Sequence, residues 1–141
     1  MEKTIKKVVV AGGGLMGAGI SLMFPEYGIE TVLYSVAEKD FDKAGKVIDK
    51  SLAALVENGR LTRQIADEIK EKIQFTVDKK CFENADLVIE AIPEIMDLKK
   101  NFYEEVSELV PEDTILTSNT SAISVNQLSE FVKFPERFCG T

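Results

Sequence analysis

Histidine and tryptophan are absent from this 141-residue chain, and only two cysteines occur. Without histidine there can be no Ser-His-Asp triad, no Cys-His pair and no His-ligated metal site, and the commonest general base near neutral pH is missing. Cys81 and Cys139 lie far apart without a CxxC spacing, which favours free thiols in a reducing cytoplasm over a disulfide framework. We therefore expect no metal site. Either the chemistry needs no histidine, or the chain carries out no chemistry alone, or the chain is one part of a larger protein.

Positive charge is also scarce, since 17 basic residues face 24 acidic ones and the formal charge is -7. A protein that holds nucleic acid by neutralising phosphates is usually basic, so nucleic acid is not an expected partner. The uncharged residues 8–25 follow two lysines as in a signal peptide, but their glycines and the missing cleavage site favour a strand, a turn and a helix. No segment is long and apolar enough to span a bilayer, so we expect no membrane partner. The free thiols favour a cytoplasmic location.

Short apolar runs alternate with amphipathic stretches along the whole chain. The runs predict strands at residues 6–11, 30–34, 74–77, 87–91, 114–118 and 135–140. The amphipathic stretches predict helices at residues 15–26, 38–57, 62–73, 97–110 and 124–132. We expect Thr62 and Asp97 to cap two of these helices, Ser124 and Gln127 to form a capping box, and Gly28 to end the first helix. The alternation predicts a Rossmann-type α/β fold, a doubly wound parallel sheet, with a helical hairpin projecting between strands 2 and 3.

A glycine-rich turn lies between the first predicted strand and the first helix, with the sequence Gly12-Gly13-Gly14-Leu15-Met16-Gly17. It fits the pattern G-x-G-x-x-G, and its strand–turn–helix context is the one that gives this pattern meaning. Gly12 permits the tight turn, Gly14 lets a pyrophosphate approach the backbone, and Gly17 lets the helix pack on the strand. The helix N-terminus supplies N–H donors for the anion. We therefore predict that residues 1–141 form a dinucleotide-binding domain, with the cofactor at Gly12, Gly14, Leu15, Met16 and Gly17.

The position at the end of the second strand usually holds an acid that accepts hydrogen bonds from the adenosine ribose. Here it holds Ser35, which can form one neutral hydrogen bond and does not repel a 2′-phosphate. Lys39 is the nearest cation for such a phosphate, but Glu38, Asp40 and Asp42 surround it. We expect Ser35 to contact the cofactor and NAD to be preferred, while NADP stays an alternative.

Two further stretches, DLVIEAIPEIMDLKK at residues 86–100 and SNTS at residues 118–121, narrow the function. Together with VVVAGGGLMGAGI and RLTRQIADEI, they resemble the N-terminal NAD-binding domain of the 3-hydroxyacyl-CoA dehydrogenases over essentially the whole chain. That family includes the 3-hydroxybutyryl-CoA dehydrogenases of fatty-acid and butanoate metabolism. The resemblance implies an oxidoreductase that passes hydride between NAD and a 3-hydroxyacyl-CoA, with 3-ketoacyl-CoA as the oxidised product. It also implies that the full-length enzyme is a homodimer or larger assembly.

The resemblance assigns roles to individual residues. Glu94 and Lys99 match the family's cofactor contacts after strand 4, and Asn119 lies in the matched SNTS stretch beside the cofactor. Ser121 matches a serine near the nicotinamide and the substrate's reacting oxygen, and Ser51 matches a contact to coenzyme A. From the residues alone, the alternatives are that Glu94 is a solvated loop carboxylate, Lys99 a helix-surface lysine and Ser121 a loop cap.

The family's catalytic base is a histidine paired with a glutamate. The segment RFCGT at residues 137–141 matches the part of the family immediately before that histidine. We expect the histidine, the glutamate and a C-terminal helical domain to follow, and the 141 residues alone to bind cofactor without turnover. Two other hypotheses are a non-catalytic nucleotide-binding module and an NADP-dependent hydroxyacid reductase.

Overall fold

The computed structural model describes residues 2–141, in which strands and helices alternate. The strands are β1 (Lys7–Ala11), β2 (Glu30–Tyr34), β3 (Ile73–Thr76), β4 (Leu87–Glu90), β5 (Ile115–Ser118) and β6 (Phe138–Gly140). The α-helices are α1 (Leu15–Ser21), α2 (Lys39–Glu57), α3 (Arg63–Lys72), α4 (Met96–Leu109) and α5 (Val125–Ser129). Short 3-10 turns occur at Pro25–Tyr27, Lys79–Phe82 and Pro135–Arg137. None of the helices within residues 2–141 has the length and apolar character needed to cross a membrane.

All six strands pair in parallel, in the order β3-β2-β1-β4-β5-β6. Val9 of β1 lies opposite Val32 on one side and Val88 on the other. The strand order therefore reverses between β1 and β4, and the chain winds outward from the centre in both directions. This arrangement confirms the predicted doubly wound Rossmann-type sheet. In such sheets the reversal opens a crevice at the carboxyl ends of the two central strands.

Each face of the sheet has its own apolar core, because alternate strand residues point to opposite faces. Val8 and Val10 of β1 join the core beneath α1, α2 and α3, whereas Val9 and Ala11 join the core beneath α4 and α5. Both faces are thus covered by helices. This explains why β1 carries an almost unbroken apolar sequence rather than an apolar–polar alternation.

The helices α2 and α3 form the hairpin predicted between β2 and β3. Ala44 and Leu52 of α2, and Ile69 of α3, are buried in the core on one sheet face, while the turn at residues 57–60 is exposed. The predicted cap of α3 is confirmed, because the Thr62 hydroxyl accepts a hydrogen bond from the Ile65 backbone N–H at 3.2 Å. Packing anchors the helices to the sheet, and their connecting turn extends into solvent.

The first helix is shorter than predicted. α1 ends at Ser21 rather than near residue 26, and Pro25–Tyr27 form a separate 3-10 turn. Pro25 explains the difference, since a proline inside an α-helix lacks the N–H donor and clashes with the carbonyl four residues earlier. Gly28 then ends the 3-10 turn in the left-handed conformation, at φ 74°. The glycine terminates a helical segment as predicted, although that segment is not α1.

Two of the predicted helix-capping interactions, those of Asp97 and Ser124, are not formed. Asp97 lies inside the first turn of α4, whose N-cap is Ile95, because the Ile95 carbonyl already accepts from the Lys99 N–H at 3.1 Å. Ser124 is the N-cap of α5, but its side chain forms no capping hydrogen bond. The capping box with Gln127 is therefore not formed. α5 also ends earlier than predicted, because residues 130–132 continue as tighter turns with hydrogen bonds between residues three apart.

Candidate functional site

A groove of about 990 Å³ follows the carboxyl ends of the central strands. One wall contains the glycine turn and the residues after β2, and the other contains the residues after β4 and β5. The predicted site residues that line it are Gly12, Gly14, Leu15, Met16, Ser35, Glu94, Asn119 and Ser121. The groove thus lies at the strand-order reversal, where open parallel sheets bind their ligands.

The glycine turn is shaped by close backbone contacts. Gly12 has φ 131°, and a Cβ added there would collide with the Ala91 carbonyl at the end of the neighbouring strand. A Cβ on Gly17 would collide with the Gly12 carbonyl, so α1 can approach β1 only without a side chain at this position. At Gly14 an added Cβ would meet no protein atom within 4 Å. The structure agrees with the tight turn and close packing predicted for Gly12 and Gly17, and Gly14 faces open space.

The start of α1 combines hydrogen-bond donors with apolar side chains. Gly14 is the N-cap and has no side chain to cap the helix, so the leading N–H groups of α1 are available to a ligand. Leu15 and Met16 stand beside them, 68% and 56% exposed. Donors for an anion flanked by apolar surface suit a dinucleotide, which has a pyrophosphate between two ring systems.

Ser35 occupies the predicted place but uses its hydroxyl differently. It is buried at the end of β2, and its Oγ donates to Oδ2 of Asp40 in the first turn of α2 at 2.5 Å. Asp40 lines the groove, and so does Lys43, whereas Lys39 does not. The Ser35 hydroxyl therefore donates its proton to Asp40, a residue that was not among the predicted site residues. The only sequence signal for it was the acidic start of the helix five residues after Ser35.

A buried carboxylate organises the opposite wall. Glu90 ends β4 with no exposed surface, and its Oε1 accepts from the Ser118 hydroxyl at 2.7 Å and the Tyr103 hydroxyl at 3.0 Å. Its Oε2 accepts from the Ile92 N–H at 2.9 Å and from Lys99 Nζ at 2.9 Å. Burial and the Glu90 charge raise the pKa of Tyr103, which keeps that hydroxyl protonated as a donor. Such bonding is what allows a charge to remain inside a protein. Sequence analysis missed Glu90, although it is the one charged residue in the strand Leu-Val-Ile-Glu.

Lys99 joins this buried carboxylate to the groove. Its ammonium donates to both oxygens of Glu90 and to Oε1 of Glu94 at 3.0 Å, and its side chain is fully buried. The surface-lysine alternative is therefore wrong. Glu94 lines the groove and also accepts from the Thr120 hydroxyl at 2.7 Å. Partial burial raises the pKa of Glu94, but the hydrogen bonds from Thr120 and Lys99 outweigh it, so the pKa lies below its usual value. Glu94 is thus an ionised groove residue with Lys99 behind it.

The loop after β5 carries the remaining predicted residues of this wall. Asn119 lines the groove and its backbone N–H donates to the Glu90 carbonyl at 2.8 Å. Thr120 caps the loop, because its hydroxyl accepts a hydrogen bond from the Ile123 N–H at 3.0 Å. Ser121 is exposed and lines the groove. The loop cap proposed as an alternative for Ser121 is therefore supplied by its neighbour.

Ser51 lies away from this groove. It lines a second depression, of about 620 Å³, between the end of α1 and the middle of α2. Glu26, Met23 and Tyr27 also line that depression. The structure thus separates the residue assigned to coenzyme A from those assigned to the cofactor.

The parallel sheet, its glycine turn at the strand-order reversal and the uncapped start of α1 define a dinucleotide-binding domain of the oxidoreductase type. Comparison with known proteins makes this more specific. Residues 7–141 match the family described as "3-hydroxyacyl-CoA dehydrogenase, NAD binding domain". The chain belongs to this family, and the resemblance seen in the sequence is confirmed.

Individual relatives agree with the family. The chain is 34% identical over 134 residues to 3-hydroxybutyryl-CoA dehydrogenase from Clostridioides difficile, covering 95% of this chain and 48% of that protein. It is 33% identical over 140 residues to 3-hydroxyadipyl-CoA dehydrogenase from Escherichia coli K12, covering 99% of this chain and 30% of that protein. Among solved structures, M. tuberculosis FadB2 matches with a TM-score of 0.92 and 32% identity, over 98% of this chain and 49% of that one. The chain thus spans half or less of each of these relatives.

Proposed function

We propose that this domain binds NAD in a protein that transfers hydride between NAD and 3-hydroxyacyl-CoA substrates. The groove carries the proposal, because a glycine turn and an uncapped helix start face an ionised glutamate and an exposed serine across it. The first wall offers donors for a pyrophosphate. The second offers polar groups beside the space where the reacting ends of cofactor and substrate would meet.

The residues present fit the dinucleotide, since Gly12 and Gly17 admit no side chain and Gly14 faces open space. The turn and the start of α1 would hold the pyrophosphate, and the residues after β2 would hold the adenosine ribose. Glu94 and Asn119 would face the nicotinamide half. When bound, the nicotinamide supplies the hydride acceptor or donor of the reaction.

The chain's own side chains have separate tasks in this proposal. Ser121 donates a hydrogen bond to the substrate oxygen whose charge changes as hydride moves. Glu94 is ionised at neutral pH, and although burial opposes it, the hydrogen bonds from Thr120 and Lys99 lower its pKa further below the ordinary value of 4.5. Lys99 acts from behind as a positioning residue, since its ammonium is buried between Glu90 and Glu94.

We propose NAD rather than NADP as the cofactor. The family is that of an NAD-binding domain, and the acidic side chain of Asp40 lines the groove beside Ser35. Lys39, which would have favoured a 2′-phosphate, lies outside the groove lining. Lys43 is the observation in favour of NADP, because it lines the groove one turn along α2.

The substrate and the wider context are also part of the proposal. The relatives named for 3-hydroxybutyryl-CoA and 3-hydroxyadipyl-CoA support an acyl-CoA substrate. We propose fatty-acid or butanoate metabolism as its setting. Ser51, on the hairpin, is proposed to contact the coenzyme A portion. We place the protein in the cytoplasm, in keeping with its free Cys81 and Cys139, and propose that the whole enzyme is a homodimer or a larger assembly.

Calorimetric titration with NAD⁺ and an assay of NADH formation from 3-hydroxybutyryl-CoA test this function. The 141-residue chain should bind NAD⁺ but form no NADH, because it contains no histidine to take the substrate proton. In a whole protein containing this domain, Ser121→Ala should lower kcat about tenfold or more while leaving NAD⁺ affinity nearly unchanged. Ser124→Ala, in the same loop, is the matched control and should leave kcat unchanged. Failure to bind NAD⁺, or enzyme-like turnover by the 141 residues alone, contradicts the proposal.

A further inference from the structure

We propose that Asp40 is the cofactor-specificity residue of this domain, replacing the acid missing at the end of β2. Its carboxylate accepts hydrogen bonds from the adenosine ribose hydroxyls of NAD and repels the 2′-phosphate of NADP. The inference rests on the proposed NAD-binding function and adds the residue that selects the cofactor. That residue comes from α2, an element different from the strand that usually supplies it.

The hydrogen bond from Ser35 holds this carboxylate in place. Ser35 is 4% exposed, and its backbone N–H donates to the Thr76 carbonyl at 3.1 Å, so the residue is fixed at the sheet edge. Its single hydroxyl proton goes to Asp40 Oδ2 at 2.5 Å, a short charge-assisted bond. Ser35 therefore has no proton left for a ligand. An ionised carboxylate has about four acceptor sites, so Asp40 can still accept from a ribose diol.

Asp40 also lies directly against the glycine turn. A Cβ added to Gly13 would be 2.8 Å from the Asp40 Cβ and 3.3 Å from the Ser35 Oγ. This position is one of the variable positions of G-x-G-x-x-G, and here the approach of Asp40 requires that it be glycine. The carboxylate thus occupies the corner between the phosphate-binding turn and the end of β2. The adenosine ribose binds at this corner in dinucleotide folds.

The charges around this corner favour hydroxyl groups over a second phosphate. Asp40 is in the first turn of α2, where the helix dipole stabilises a carboxylate. A 2′-phosphate would bring additional negative charge against it, and juxtaposed like charges oppose binding. Two cations also line the groove, but Lys79 is paired with Glu105 at 2.5 Å. Lys43 is the remaining opposing group, and its exposed side chain lacks the fixed position of Asp40.

The test compares Asp40→Asn with Asp42→Asn in the 141-residue chain, by calorimetric titration with NAD⁺ and NADP⁺. Asp42 is exposed in the same first helical turn and outside the groove lining, so its variant makes the same charge change without the proposed contact. We expect wild-type protein to bind NAD⁺ at least about tenfold more tightly than NADP⁺. Asp40→Asn should weaken NAD⁺ binding about tenfold and leave NADP⁺ binding unchanged or tighter. Asp42→Asn should change both by less than about twofold.

A further variant, Ser35→Ala, removes the group that positions the carboxylate. It should reduce the NAD⁺-to-NADP⁺ preference by about threefold, which is less than the effect of losing the charge itself. Thermal unfolding of each variant confirms that the folded protein is being compared.

The outcomes separate the inference from the function beneath it. If wild type binds NAD⁺ but Asp40→Asn keeps its preference, or loses affinity for both cofactors equally, the specificity role is wrong and the NAD-binding proposal survives. The same holds if Asp42→Asn has the same effect. Tighter wild-type binding of NADP⁺ overturns the inference in favour of Lys43. If neither cofactor binds, the proposed function and the inference both fail.

Discussion

The two walls of the groove are built on different physical principles. One wall, here called the glycine wall, consists of residues 12–17 with Ser35 and Asp40. Its shape depends on glycines, which have no side chains. The opposite wall, here called the charged wall, is a set of hydrogen-bonded side chains that reach from the interior to the groove. It consists of Glu90, Glu94, Tyr103, Lys99, Ser118 and Thr120. The glycine wall requires that no side chain fill the space at its glycines. The charged wall requires that its buried charged groups keep their hydrogen-bond partners.

This difference predicts opposite sensitivities. At Gly12 and Gly17 an added atom meets a backbone carbonyl, so the glycine wall should fail when anything is added. In the charged wall the Glu90 carboxylate and the Lys99 ammonium are both fully buried, so that wall should fail when a partner is removed.

Lys99→Met tests the charged wall most severely. It leaves the Glu90 carboxylate buried without its counter-ion, which should cost about 3–5 kcal/mol of unfolding free energy. Lys100→Met is the matched control, because Lys100 is exposed and its ammonium lies 5.7 Å from the centre of the Phe131 ring. That control should cost about 1 kcal/mol or less. Urea unfolding with an unchanged m-value gives both numbers, and equal losses would show that the buried pairing contributes little.

Gly17→Ala tests the glycine wall. The new methyl group would meet the Gly12 carbonyl, so the turn must move, at a cost of about 1–3 kcal/mol and with much weaker NAD⁺ binding. Gly19→Ala is the control on the same helix, since an added Cβ there meets no atom within 4 Å. It should stabilise the protein by about 0.5–1 kcal/mol because alanine favours the helix. Thermal unfolding and NAD⁺ titration of both variants measure the contrast, and a Gly17→Ala protein that binds normally contradicts it.

Thr120→Val weakens the charged wall where it reaches the groove. It removes a hydrogen bond that lowers the Glu94 pKa, so that pKa should move up toward its ordinary value of 4.5. A lowered carboxyl pKa contributes stability above its unfolded value and loses it as pH falls through the folded value. The variant should therefore lose less stability than wild type on acidification below pH 4.5.

Carboxyl NMR titrations and acid unfolding of Thr120→Val and Thr120→Ser check this effect. The serine variant keeps the hydroxyl and should titrate like wild type. A Glu94 pKa that is the same in all three proteins would show that Thr120 does not lower that pKa.

The smallest expected effect concerns the core packed behind the charged wall. Burial raises the pKa of Cys81 to about 11, so this thiol is protonated at neutral pH, whereas Cys139 is exposed on β6. A thiol-specific reagent at pH 8 should label Cys139 at least about tenfold faster than Cys81. Peptide mapping gives the two labelling rates, and comparable rates would show that this core is open.

The stabilisation from the neutral Cys81 thiol should persist below pH 9.0 and be lost as the pH rises through 11.

The same contrast explains what could be predicted from the sequence. The alternation of strands and helices and the glycine turn at residues 12–17 rest on local patterns, namely apolar runs and a motif spanning six neighbouring residues, so both could be predicted. The charged wall depends on contacts between distant residues, such as Ser118 and Glu90, which are 28 positions apart. A single glutamate in a strand does not reveal those partners. Asp40 was only five residues from Ser35, but its contact depends on where α2 begins and how that helix meets the turn.

An NMR titration of isotope-labelled protein with NAD⁺ tests the central claim that both walls enclose one dinucleotide site. The account predicts saturable shifts at Gly12, Gly14, Ser35, Asn119 and Ser121, with little change around Ser51 in the second depression. Shifts confined to one wall, shifts centred on the second depression, or no shifts at all would contradict it.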